Sequence, residues 1–110
     1  MPSTRIANAC LAIGLAAAAA QWPATARAGT ADEAGRRLYA SCAGCHGTDG
    51  KPAPGSSLPP LAGQSRDALA ATMKAFQDGS RPSTIMQQLA KGYTSEQIDL
   101  IAAYLAQRQK

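Results

Sequence analysis

Apolar residues in this chain recur at spacings of three and four, and no segment alternates with period two, so the pattern predicts helices and no sheet. Thr30-Ala31-Asp32-Glu33 has the Thr-x-x-Glu form of a capping box, with acidic residues where a helix dipole favours them. A helix should run from there to about Cys42, with Gly35, Leu38, Tyr39 and Cys42 on one face. Glycine inside a helix costs about 1 kcal/mol against alanine. That cost makes sense at Gly35 if another helix crosses closely there. From Gly47 to Gly63 lie four glycines and four prolines, too dense for helix or strand. Leu58 and Leu61 inside this loop ask for burial, which argues against a free linker. Ser65 can cap a second helix from Arg66 to Asp78, stopped by Gly79, with Leu69, Met73 and Phe76 on its apolar face. A short helical piece follows Arg81-Pro82 and ends at Gly92. Thr94-Ser95-Glu96-Gln97 then opens a last helix to about Arg108, striped by Ile98, Ile101, Ala102 and Leu105, with Tyr104 beside them. The expected fold class is all-α, three main helices and one short one.

The amino-terminal pattern is of another kind. Arg5 precedes an apolar run from Ile6 to Ala20 broken only by Asn8, and Ala26-Arg27-Ala28 fits a small-x-small cleavage site. Residues 1–28 therefore read as a signal peptide, cleaved near Ala28, and residues 29–110 as one domain. The competing reading, an uncleaved anchor, needs about 20 strongly apolar residues, and this run is shorter and mostly alanine. Cys10 and Trp22 leave with the leader, and Cys10 reads as a small apolar filler. Much of the 45% hydrophobic content leaves too. A domain this small has a marginal core unless a disulfide, metal or cofactor staples it. Two domains are excluded, since each needs about 100 residues. Removing Arg5 and Arg27 lowers the formal charge from +4 to +2. No basic run exceeds Arg36-Arg37, so no nucleic-acid partner is indicated.

Export makes the remaining cysteines informative. Two of them in an oxidising compartment would by default suggest a disulfide. Here they stand in Cys42-Ala43-Gly44-Cys45-His46, the spacing that attaches a c-type haem. Two thiols must add to the two vinyl groups on one porphyrin edge, and two intervening residues span that edge. The adjacent His46 then offers its imidazole to the iron from one face. A redox dithiol would sit in a βαβ context, and no strand pattern is visible. Zinc would need further Cys or His ligands, and the mature chain has none.

The chain has one histidine, so a low-spin electron carrier needs a methionine on the far face, a ligand pair that raises the potential. Met73 lies between Leu69 and Phe76 on an apolar stripe, where methionine usually fills core. Met86 ends an irregular stretch after a proline, where the backbone can carry the thioether to iron. Met86 is the expected ligand and Met73 the alternative.

These residues resemble a class I c-type cytochrome over residues 30–108: Cys-x-x-Cys-His near the start, Pro59-Pro60-Leu61, a late methionine and a closing amphipathic helix. The resemblance implies a fold in which the first and last helices cross, Gly35 and Tyr39 facing Ile101 and Tyr104. It implies one covalent haem c bordered by Pro59 and Leu61, with the Pro59 carbonyl accepting a hydrogen bond from the free ring nitrogen of His46. More narrowly, Arg81 to Met86 and Ala90-Lys91-Gly92-Tyr93 are similar to the haem subunit of flavocytochrome c sulfide dehydrogenases. That likeness implies a periplasmic one-electron protein taking electrons from a flavoprotein subunit, with no catalytic acid or base of its own. A free-standing carrier to another redox partner shares much of the pattern.

The competing class is an enzyme or sensor with an open iron, such as a peroxidase or a gas binder. It would require Met86 off the iron, and no distal His or Arg is evident to cleave peroxide. A third class uses the haem only as a staple. The leader reading has a direct check: protein from a periplasmic extract should have the mass of a chain beginning at Gly29 plus one covalent haem. A mass that retains residues 1–28 would reject the cleavage site.

Overall fold

The computed structural model describes residues 29–110, so the expected leader, with Arg5, Cys10 and Trp22, lies outside the described residues. The first helix, α1 (Ala31–Tyr39), starts as expected, with the Thr30 hydroxyl accepting from the Glu33 amide at 3.2 Å. The reciprocal half of the box does not form, because the Glu33 carboxylate pairs with Arg37 one turn along. A guanidinium at i+4 offers a carboxylate a charged partner that a backbone amide does not.

The structure shortens α1, which ends at Tyr39 and not near Cys42. Ala40 N donates to the Arg37 carbonyl and Cys42 N to the Tyr39 carbonyl, and these tight turns interrupt the helix. A one-turn helix, α2 (Ala43–His46), then carries the cysteine motif. Three main helices and two short ones thus replace the expected three and one. A single 3₁₀ turn over Thr48–Gly50 follows.

Beyond the Gly/Pro-rich loop come α3 (Arg66–Asp78), α4 (Met86–Ala90) and α5 (Ser95–Ala106). Ser65 caps α3 at 3.2 Å, and Gly79 ends it in the left-handed region at φ 80°. Both halves of the capping box form at α5: Gln97 N donates to Thr94 Oγ1 at 3.1 Å and Thr94 N to Gln97 Oε1 at 2.9 Å. No strand occurs among the described residues.

The core joins Tyr39 of α1, Leu69 and Ala70 of α3, and Ile98, Ile101, Ala102, Tyr104 and Leu105 of α5. Helix α5 is the hub, with α1 on one side and α3 on another, while α4 leans on α3. The α1–α5 crossing explains Gly35. A Cβ there would stand 2.4 Å from the Leu100 carbonyl oxygen and 2.7 Å from Tyr104 Cβ. The glycine faces Leu100 and Tyr104, one residue from the expected Ile101. Tyr39 and Tyr104 come within 5.7 Å, ring centre to ring centre.

Two effects oppose each other in a Gly35→Ala substitution. Helix propensity favours alanine by about 1 kcal/mol. The clash is with backbone, which cannot rotate away, and overpacking costs about 1–3 kcal/mol. The variant should therefore unfold at lower denaturant than the parent; an unchanged or higher midpoint would show that the crossing is not tight.

Candidate haem site

Helix α2 gathers the motif into one turn. Cys45 N donates to the Cys42 carbonyl at 3.2 Å and His46 N to the same oxygen at 3.0 Å. Both thiols are free; Cys42 is half-buried against the core and Cys45 is exposed. The His46 ring is half-buried, and desolvation holds its pKa below the usual 6.5. The neutral ring keeps a lone pair for a metal. Its Nδ1 is sealed from solvent and has no hydrogen-bond partner.

The hydrogen bond expected from that ring to the Pro59 carbonyl is therefore not made. The loop is anchored later, by Leu61 N and Ala62 N donating to the Gly50 carbonyl at 2.9 and 3.1 Å and by Gln64 Nε2 to the Pro60 carbonyl at 2.6 Å. Pro59 itself stays exposed, outside this anchor. Leu61 packs on the core as expected, whereas Leu58 is exposed.

The residues after His46 are gripped from two helices. Tyr39 Oη donates to the Gly47 carbonyl at 2.7 Å, and Tyr104 Oη donates to the Asp49 carboxylate. Gly47 has φ 80°, and a Cβ there would lie 1.7 Å from the Lys51 carbonyl oxygen, so no side chain fits. Asp49 is the one non-glycine residue with positive φ among those described, at 56°. Aspartate tolerates that region better than most residues, and the tyrosine holds it there. Sequence reasoning passed over Asp49; the turn dipeptide Asp49-Gly50 was the available signal. Arg108 completes the grip, with its guanidinium 4.3 Å from the centre of the Tyr104 ring and paired with Asp32.

Met73 packs on the core from α3. Met86 is half-buried at the head of α4, flanked by exposed Ile85 and Leu89. Among the described residues no three of His, Cys, Asp and Glu cluster to hold a metal ion, so α2 is not part of a conventional metal cage. Two free thiols and an imidazole that burial keeps neutral, gathered in one helical turn, fit a covalently attached haem.

A strand-free helical wrap around a Cys-x-x-Cys-His turn defines a class of haem proteins. The family model for cytochrome c matches residues 33–109, and the chain belongs to the cytochrome c family. It is a c-type cytochrome, an electron carrier. It is 46% identical over 76 residues to the cytochrome subunit of sulfide dehydrogenase of Chlorobaculum tepidum, covering 69% of this chain and 67% of that one. It is 39% identical to cytochrome c-554(548) of Halomonas halodenitrificans, covering 69% of this chain and 94% of that one. Among solved structures it resembles Acidithiobacillus ferrooxidans cytochrome c4 at a TM-score of 0.64 and 31% identity, over 70% of this chain and 49% of that one.

Burial pushes the Tyr39 phenol from its usual 10.0 up to about 12, and burial likewise raises Tyr104. A phenol whose folded pKa is raised contributes stability that is full below pH 10 and lost as the pH climbs towards 12. Tyr39→Phe should make this alkaline loss shallower in denaturant titrations across that window. A variant that loses stability as steeply as the parent would detach Tyr39 from the effect.

Proposed function

We propose that Cys42 and Cys45 each form a thioether to one haem c, that His46 is the proximal ligand and that Met86 is the distal one. Pro59 and Leu61 border the group on the proximal side. When bound, the haem supplies an Fe(II)/Fe(III) couple for one-electron transfer. The reading rests above all on the motif turn, which gathers two free thiols and the His46 imidazole into one turn of helix.

The remaining work falls to the chain. Tyr39 and Tyr104 hold the segment that follows His46, through the Gly47 carbonyl and the Asp49 carboxylate. A thioether from Met86 is uncharged and accepts no proton, so neither axial side chain needs to change protonation when the electron moves. The protein acts in the periplasm after loss of residues 1–28, and among the described residues no helix is long and apolar enough to cross a membrane.

The electron donor is a flavoprotein subunit that oxidises sulfide. Support comes from the likeness to the Chlorobaculum tepidum protein, whose name states that it is the cytochrome subunit of sulfide dehydrogenase. A free-standing carrier is the second reading, favoured because the chain spans 94% of the Halomonas halodenitrificans cytochrome. Tagged protein drawn from its native periplasm should bring a flavoprotein with it that sulfide reduces. Recovery of the cytochrome alone would favour the free carrier.

Two further outcomes test the ligand set. Haem should stay with the denatured polypeptide through acid–acetone extraction, and extraction into the solvent would refute the thioethers. Met86→Ala should lose the weak red absorption band of a sulfur–iron bond in the oxidised protein and bind cyanide readily. Met73→Ala should keep the band and lose stability, by up to about 2–5 kcal/mol for a fully buried site and less for this half-buried one. The reverse pattern would exchange the roles of the two methionines.

A further inference from the structure

The segment that carries Met86 is weakly anchored by apolar contacts. Helix α4 has five residues, too few to be helical without outside support. Ala90 is fully buried, but Ile85 and Leu89 are 58% and 50% exposed. Polar contacts hold the segment instead. At its start, Ser83 Oγ accepts from Met86 N at 2.9 Å and from Ile85 N at 3.3 Å, and Gln87 Nε2 donates to the Arg81 carbonyl at 3.1 Å.

At its end the hold comes from two directions. Gln77 of α3 donates through one amide nitrogen to two carbonyls, Ala90 at 2.8 Å and Tyr93 at 2.7 Å. Both hydrogens of that nitrogen are thus spent on the link between α4 and α5. The Tyr93 hydroxyl then meets Ser41 Oγ at 2.7 Å, and Ser41 directly precedes Cys42. Gln77 therefore ties the Met86 arm to α3, while Tyr93 ties it to the turn that bears the first cysteine.

We propose that Gln77 and the Ser41–Tyr93 hydroxyl pair form a clasp that keeps the Met86 arm closed on the haem and so sets how often the thioether leaves the iron. The proposal rests on Met86 as the distal ligand. Gln77 and Tyr93 are positioning residues, acting through Met86. Cyanide can bind only when the arm opens, so its apparent affinity follows the open fraction.

The test uses the haem-loaded, oxidised protein, titrated with cyanide while the sulfur–iron band is followed. Gln77→Leu keeps the bulk and removes both donors, and it should raise apparent cyanide affinity by about tenfold or more, given the typical worth of two hydrogen bonds. Its sulfur–iron band should melt well before its helical signal. Tyr93→Phe deletes one hydroxyl, is the milder change if the leucine variant folds poorly, and should shift affinity the same way by a few-fold. Ile98→Val, a core truncation outside the clasp, should lower the global melting point and leave cyanide affinity unchanged. Parent-like affinity in both clasp variants, with the band lost in Met86→Ala, overturns the clasp and leaves the ligand reading standing. A band that survives Met86→Ala overturns the ligand reading itself, and the clasp with it.

Discussion

The rest of the structure depends on the contact between α1 and α5 at Gly35. Without a side chain there, the α5 backbone comes within reach of α1, and that approach brings Tyr39 and Tyr104 side by side. Each tyrosine buries its ring in the core and turns its hydroxyl towards the segment just after His46, Tyr39 to the Gly47 carbonyl and Tyr104 to the Asp49 carboxylate. A packing constraint between two helices is in this way converted into a positional constraint on the segment beside His46, the proposed axial ligand. The conversion needs amphipathic side chains, since a phenylalanine would fill the same space and hold nothing.

The two sides of the site are secured by different means. Behind His46 the restraints are buried rings, a glycine that admits no Cβ and an aspartate in a left-handed conformation. Around Met86 they are hydrogen bonds from side chains on half-exposed elements. The first kind resists opening through packing, which is lost only when much of the core moves. The second kind can be released locally. With His46 and Met86 as the proposed ligands, an electron carrier would keep one permanently and the other conditionally.

Much of this was legible in the sequence, and the reasons differ by element. Helix α3 was read correctly at both ends because Ser65 and Gly79 are local signals whose effect does not depend on the rest of the fold. Helix α5 was equally clear at its start, through Thr94 and Gln97. The break after Tyr39 was not, since Ala40 to Cys42 carry no proline or glycine and continue the apolar face of α1. Only the turn hydrogen bonds reveal why the helix stops. The motif Cys42 to His46 was legible because its spacing is dictated by the haem edge. The tyrosine grips and the Gln77 tether were not, because each joins residues far apart in the chain, and pairings of that kind leave no trace in local periodicity. Leu58 and the Pro59 carbonyl were misplaced for a related reason: the loop is fixed at Gly50, and composition alone does not reveal where a loop is anchored.

The pairing of α1 with α5 also has a temporal side. Asp32 and Arg108, which join across it, stand at opposite ends of the described chain, and closing a loop of that length costs roughly 4 kcal/mol of chain entropy. Nothing made earlier can substitute for α5, the hub of the core. As the polypeptide emerges from its amino end, the cysteine turn must therefore wait unpacked until the final helix arrives. During that interval both thiols stay free of the packing that later half-buries Cys42. A haem attached at the proposed thioethers in that interval would be enclosed by the collapse and need not enter a finished protein.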